Sequence, residues 1–167
     1  MAGTILVAYA SKSGTTAEVA ERIGACLRDA GVDVEVQAAG AVNSLEGYRA
    51  IILGSAVRMG QWLPEARRFV ERYQDALRER PVAIFSVHLL AREDSEADRA
   101  QRESYTAPVR ALIAPVMEGF FAGRLEMARL SFGDRLISRL VKATEVDARD
   151  WAAVCAWTRE AAAALMR

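Results

Sequence analysis

The sequence predicts an α/β protein, a doubly wound three-layer sandwich around a five-stranded parallel sheet of order 2-1-3-4-5. Three observations carry this. Short uncharged segments alternate with longer segments of helical period along the chain. Most of the short segments are apolar on both alternating faces, which suits strands covered by helices on both sides. Right-handed crossovers between parallel neighbours then leave few other ways to wind the chain.

Each element follows in order. Thr4-Ile-Leu-Val-Ala-Tyr9 is the first strand. From Thr15 the period is helical, with Val19, Ile23, Cys26 and Leu27 on one stripe and Glu18, Glu21, Arg22 and Arg28 on the other, until Gly31 stops the helix. Asp33 to Gln37 alternates polar and apolar, as a strand at the sheet edge does. Ala50 to Gly54 is the third strand, and Pro64 to Arg80, with Phe69, Val70, Tyr73 and Leu77 at helical spacing, the next helix. Pro81 opens the fourth strand, Val82 to Val87; a charged stretch follows, then a helix from Asp98 to Ile113. The fifth strand is Val116 to Leu125, and the last helix, Trp151 to Met166, carries Val154, Trp157, Ala161 and Leu165 along one face.

At 167 residues and 52% hydrophobic, the chain has the size and core of a single domain spanning 1–167. Its 22 basic and 22 acidic side chains cancel, which argues against nucleic acid as a partner and against the acidic excess of a carrier steered onto basic proteins. Cys26 and Cys155 lie far apart in helix-like segments without the spacing of a zinc site or disulfide framework, so two buried thiols in a reducing cytoplasm are expected. The N-terminus lacks signal-peptide features, and no apolar run approaches the ~20 residues that cross a bilayer. The expectation is a cytoplasmic protein whose membrane contact, where it has any, is peripheral.

In such sheets ligands bind beyond the strand carboxyl ends, which points to the loops after Tyr9, Gly54 and Val87. In the first, Ser11-Lys-Ser-Gly-Thr-Thr16 sets hydroxyls, a glycine and backbone amides at a helix start, an anion cradle. The bland alternative is ordinary capping by Ser13 or Thr15. The loop lacks the spacing of a triphosphate loop and of a dinucleotide fold, so a mononucleotide phosphate fits better. In the second, Gly54 to Trp62, small residues would let a flat ring approach the backbone, with Met59 or Trp62 covering its face and Arg58 stabilising an anion; the bland alternative makes Trp62 a staple for the following helix. The third, Ser86 to Arg92, holds the single histidine, His88, which would touch the ring edge or move protons if it faces the pocket. No cluster has metal-ligand spacing, so no metal site is expected.

Ser11 to Thr16 resembles the FMN phosphate signature of flavodoxins, T/S-x-T/S-G-x-T. The resemblance implies FMN as cofactor, its phosphate held by Ser11, Ser13, Gly14, Thr15 and Thr16, with Lys12 adding its backbone and charge. Ile52 to Gly60 and Ala83 to Arg92 are similar to one branch of these proteins, the menaquinone-dependent protoporphyrinogen IX dehydrogenases, with His88 where Asn is usual and Met59 where an aromatic is usual. The flavin-contacting residues this implies are Ser55, Ala56, Val57, Arg58, Met59 and Gly60 from one loop and Ser86, Val87, His88 and Leu89 from the other; Arg58 and, by its place at the strand end, His88 are the candidate catalytic residues. The implied activity is oxidation of a porphyrinogen through FMN, with electrons passed to a menaquinone-type acceptor in haem biosynthesis. The alternative is a flavodoxin-type electron carrier without a substrate of its own. The branch carries a basic amphipathic insert, here at about 128–146, where Arg129 to Lys142 sets Leu136, Ile137, Leu140 and Val141 beside Arg135 and Arg139, suited to a membrane surface, a substrate or the domain itself. The stretch Ala143 to Trp151 is shorter than the family's.

Overall fold

The computed structural model describes residues 3–91, 93–125, 146–147 and 149–167. Along the chain the elements are β1 (Thr4–Ala10), α1 (Thr15–Asp29), β2 (Val34–Ala38), β3 (Tyr48–Arg58), β4 (Gln61–Trp62), α2 (Pro64–Arg72), α3 (Gln74–Arg78), β5 (Val82–His88), α4 (Glu96–Leu112), β6 (Met117–Ala122), β7 (Arg124–Leu125), β8 (Val146–Asp147) and α5 (Trp151–Leu165). The insert expected at about 128–146, with Arg129 to Lys142, lies outside the described residues except for Val146, which opens β8.

The main sheet has the order β2-β1-β3-β5-β6, all parallel, with β4 added to β3 as an antiparallel hairpin strand. Counting only the five long strands, this is the predicted winding, and β2 lies at the edge as its alternating pattern implied. Successive residues of the central strands face opposite layers. Leu6, Ile51, Leu53 and Ile84 point to the layer of α2 and α4, where they meet Ala66, Phe69, Val70 and Val109. Ile5, Val7, Ile52 and Phe85 point to the layer of α1 and α5, against Val19, Ile23, Val154 and Trp157. Each such side chain taken from water contributes roughly 1.5–3 kcal/mol, so burial on both faces holds the sheet.

Three boundaries differ from the sequence reading. The strand expected over Val116 to Leu125 ends at Ala122, and Arg124–Leu125 form β7, paired with β8 in a separate two-stranded sheet. The helix expected over Pro64 to Arg80 is two helices broken at Tyr73, whose ring packs on Phe69 and whose hydroxyl donates to the Val42 carbonyl at 2.9 Å. The third strand runs on past Gly54 to Arg58. The flat ring lying on Gly54 is Phe85 of the neighbouring strand: a Cβ at Gly54 would sit 2.0 Å from Phe85 Cζ.

The cysteines require a correction. Cys26 of α1 and Cys155 of α5 are joined in a disulfide, with Cα atoms 5.8 Å apart across 129 residues of sequence, and both are half-buried rather than buried. The reason is topological. The first and last helices of this winding cover the same face of the sheet and pack side by side, a proximity that sequence spacing does not report. Nearby, Arg149 pairs with Glu18, and Arg22 and Arg149 lie 5.3 and 4.9 Å from the Trp151 ring, tying the start of α5 to α1.

Candidate functional site

Of the three longest helices among the described residues, α1, α4 and α5, α1 alone starts without a side-chain cap; the short α2 and α3 also lack one. Ser95 caps α4 by accepting from the Asp98 amide at 3.1 Å, and Asp150 caps α5 by accepting from the Ala153 amide at 3.0 Å. The N-cap of α1 is Gly14, at φ 93° and ψ −11°, and no side chain caps it. The capping role open to Ser13 or Thr15 is therefore not taken. Ser11 Oγ instead accepts the Gly14 amide at 3.1 Å, curling the loop over the helix start. The left-handed backbone at Gly14 is one that a side chain would strain.

Thr15 and Thr16 are buried in the first turn of α1, and Thr16 Oγ1 has no hydrogen-bond partner among the described residues. An unsatisfied buried hydroxyl costs about 1–3 kcal/mol. At an uncapped helix start, where amides and dipole both favour an anion, a phosphate oxygen relieves that cost. Chemistry and position fit the phosphomonoester of FMN. Gly123, where the chain leaves β6, closes the same corner: its amide donates to the His88 carbonyl at 2.8 Å, and a Cβ there would come within 3.7 Å of the Thr15 methyl.

The stretch after Gly54 is a hairpin. Arg58 pairs with Gln61 and Val57 with Trp62, and the turn between them is Met59 at φ 54° and Gly60 at φ 75°. Two residues of positive φ between paired strands make a type I′ turn, whose twist matches that of the strands. A non-glycine residue in that region costs about 1–2 kcal/mol. The geometry throws Met59 outward, 79% exposed. Trp62 goes the other way. It is buried, with its indole N–H donating to Ser86 Oγ at 2.8 Å, while the Leu63 amide donates to Ser55 Oγ at 2.9 Å and that hydroxyl donates to the Ala56 carbonyl at 2.8 Å. Of the two side chains expected to cover a ring, Trp62 is the staple of the bland reading and Met59 is at the surface. Ser55 and Ser86 spend their hydroxyls bracing the hairpin.

His88 is also turned inward. Its ring is 5% exposed, Nδ1 lies 2.7 Å from the Leu90 carbonyl oxygen, and it packs 5.9 Å from Tyr105 of α4 and 6.4 Å from Phe120 of β6. It anchors the turn that presents Leu90, 71% exposed, and Ala91 at φ 55°. Burial pushes the Tyr105 phenol above its ordinary range, with Arg102 opposing. Val87 is buried in the layer of α1 and α5, and Leu89 is half-buried.

A cleft of ≈ 300 Å³ opens between the phosphate loop and the hairpin. Ser11 and Lys12 line one side, Arg58 and Met59 another, and Leu63, Glu65 and Arg67 at the start of α2 a third, with Trp62 also contributing. The structure thus brings together Ser11, Lys12, Arg58 and Met59 from the expected set at this cleft, whereas Ser13, Gly14, Thr15 and Thr16 of the phosphate loop, Ser55, Ala56, Val57 and Gly60 of the second loop, and Ser86, Val87, His88 and Leu89 of the third do not line it. Sequence reasoning missed Gln61, Glu65 and Arg67; the Met59-Gly60 pair, as a hairpin turn, is the signal that folds them back beside Arg58. No helix among the described residues is long and apolar enough to cross a membrane.

Comparison with known proteins agrees with the fold. The flavodoxin domain family matches residues 6–151. The protoporphyrinogen IX dehydrogenase [quinone] of Escherichia coli (strain K12) is 26% identical over 170 aligned residues, covering 94% of this chain and 93% of that one. A protein of the same name from Leishmania major is 30% identical over 163 residues, covering 89% of this chain and 70% of that one. Among solved structures, a single-residue mutant of flavodoxin from Pseudomonas aeruginosa superposes with a TM-score of 0.59 at 18% identity, over 98% of this chain and 99% of that one, a likeness of fold. With 146 consecutive positions matched, residues 6 to 151, the chain belongs to the flavodoxin domain family.

Proposed function

We propose that this chain is an FMN-dependent dehydrogenase that oxidises protoporphyrinogen IX and delivers the electrons to a quinone. The observation that carries the reading is the near full-length match to a protoporphyrinogen IX dehydrogenase [quinone], 94% of this chain on 93% of that one. The cradle at Gly14 and the orphaned Thr16 hydroxyl support the cofactor part independently of any relative.

FMN, when bound, supplies an acceptor that takes hydrogen from a reduced substrate and passes electrons on to a quinone. The protein's own residues bind and orient. Thr16 Oγ1, Ser11 and the uncapped start of α1 hold the phosphate; Lys12 adds charge from the rim of the cleft. The hairpin, pinned from beneath by Trp62 on Ser86 and Leu63 on Ser55, holds Arg58 and Met59 in fixed places at the same rim. The fixed geometry lowers the ordering cost of binding, and Arg58 there would stabilise the negative charge that bound FMN would take up on reduction, or pair with an acidic group of a substrate. His88, bonded to the Leu90 carbonyl, shapes the neighbouring loop rather than carrying protons in the cleft.

Anaerobic mixing of FMN-loaded protein with protoporphyrinogen IX and a soluble menaquinone analogue tests the reading, with porphyrin fluorescence as readout and Arg58→Ala as control. Quinone-dependent porphyrin formation, diminished in Arg58→Ala, is expected. Protein that binds FMN and is reduced chemically, yet forms no porphyrin, overturns the dehydrogenase reading in favour of an electron carrier.

A further inference from the structure

We propose that Arg67 is the specificity-determining residue of the cleft, recognising a carboxylate of an amphipathic substrate held beside the flavin. This rests on the reading above and identifies the group of this chain that selects the acidic side chains of the porphyrinogen.

The flavin loops account for Ser11, Lys12, Arg58 and Met59. They do not account for Arg67, which stands on α2, outside each loop that the phosphate signature or the strand-end rule picks out, yet lines the same cleft. Its direction is set by the core. Ala66, Phe69 and Val70 are the buried side of α2, and Arg67 shares its outer face with Pro64 at i, i+3 spacing. No carboxylate among the described residues forms an ion pair with Arg67. Glu65 lines the cleft too, but residues two apart on a helix do not face each other, so it is not placed to quench the guanidinium.

The rest of the cleft says what kind of anion fits. Lys12, Arg58 and Arg67 oppose the one carboxylate of Glu65, so the lining is cationic. Leu63, Trp62 and the exposed Met59 give it an apolar wall, and the buried Trp62 and Leu63 are fixed by their bonds to Ser86 and Ser55. A cationic mouth over a rigid apolar wall matches a hydrophobic ring system bearing carboxylates. A neutral quinone makes no use of the cations. A guanidinium offers a planar fork that holds a carboxylate through two parallel hydrogen bonds, which lysine cannot reproduce.

The test uses FMN-loaded wild type, Arg67→Ala, Arg67→Glu and Arg67→Lys. Protoporphyrin IX and its dimethyl ester are titrated by porphyrin fluorescence, and KM and kcat for protoporphyrinogen IX are measured in parallel. Wild type should prefer the free acid. Arg67→Glu should weaken the acid by about tenfold or more, the size of one charge-assisted hydrogen bond. It should also abolish the acid-over-ester preference and leave FMN stoichiometry and ester affinity intact. Arg67→Lys should recover part of the preference, with the kinetic effect falling on KM rather than kcat. Equal losses for acid and ester, unchanged acid affinity in Arg67→Glu, or a wild type that binds neither porphyrin overturn the proposal. Arg67-dependent acid binding without turnover upholds the carboxylate site while the dehydrogenase reading fails; turnover with a KM indifferent to Arg67 does the reverse.

Discussion

Reducing the Cys26–Cys155 bond should destabilise the protein by an amount set by the chain it closes. The bond spans 129 residues, and the loop-entropy relation gives a ceiling of about 5 kcal/mol at 25 °C for a loop of that size. The realised value should be lower, about 2–4 kcal/mol, because denatured chains keep residual contacts and native disulfides seldom reach the ideal limit. The helices themselves stay packed: Ile23 and Leu27 of α1 and Val154, Ala161 and Leu165 of α5 share a core cluster and need no covalent link to meet. For a domain of this size, 2–4 kcal/mol corresponds to a loss of roughly 10 °C in melting temperature.

The assay is thermal and urea unfolding of wild type with and without a phosphine reductant, beside Cys26→Ser and Cys155→Ser. Both single variants and reduced wild type should melt together, reductant should not affect the variants further, and the oxidised form should show the smaller urea dependence because its unfolded chain is more compact. Alkylation under denaturing, non-reducing conditions should modify neither cysteine. Two alkylated thiols in the untreated protein refute the bond; a bond whose reduction moves the melting temperature by less than about 2 °C refutes the loop-entropy account. In a reducing compartment, where such bonds are rare, this stabilisation is withdrawn and the α1–α5 packing alone must hold the helices.

Three further outcomes follow from single contacts. Thr16→Val removes the orphaned hydroxyl, so the apoprotein should be as stable as wild type or more so, while FMN binds roughly tenfold more weakly by flavin-fluorescence titration; an unchanged dissociation constant removes Thr16 from the phosphate site. Gly54→Ala drives a Cβ into the Phe85 ring and should cost about 1–3 kcal/mol in urea unfolding, a loss that Phe85→Leu partly rescues; strictly additive effects would contradict the contact. Burial raises the Tyr105 phenol above its ordinary pKa of about 10, so the folded state holds the proton more tightly than the unfolded chain. The resulting stability is complete below pH ~10 and is lost as pH climbs through the folded value. Tyr105→Phe should flatten the alkaline fall in urea midpoint without abolishing it, because Tyr48, also raised, remains.

Much of the fold was legible in the residues because a central strand of a doubly wound sheet has a simple requirement, apolar side chains on both faces, and Ile5 to Ala8, Ala50 to Leu53 and Val82 to Phe85 meet it. The errors fall where a local pattern cannot see a distant partner. Tyr73 continues the helical spacing of Phe69 and Leu77, but its hydroxyl is drawn to the Val42 carbonyl and the helix breaks there. Cys26 and Cys155 each lie within a helix-like segment, and only the common face covered by the first and last helices brings them into contact.

The site divides along a similar line, between hydroxyls that the scaffold consumes and those it leaves. Ser55, Ser86 and Thr16 all read from sequence as small polar residues at the carboxyl edge of the sheet. Ser55 and Ser86 face the layer of α2 and are used up bracing Trp62 and Leu63, a demand that exists only because β3 continues into a hairpin. Thr16 faces a helix start from which Gly14 has removed any side-chain cap, so nothing in the described structure satisfies it. The same hairpin that consumes the two serines carries the chain back to α2 and brings Arg67 to the cleft, where no loop motif would have placed a functional residue. A polar residue at a strand end thus points to a ligand only after the scaffold's own demand for hydrogen bonds has been subtracted. Here that subtraction leaves the hydroxyl of Thr16 over, gives the Trp62 indole N–H and His88 Nδ1 partners within the scaffold, and leaves a cation at the cleft on a helix that the strand-end rule does not reach.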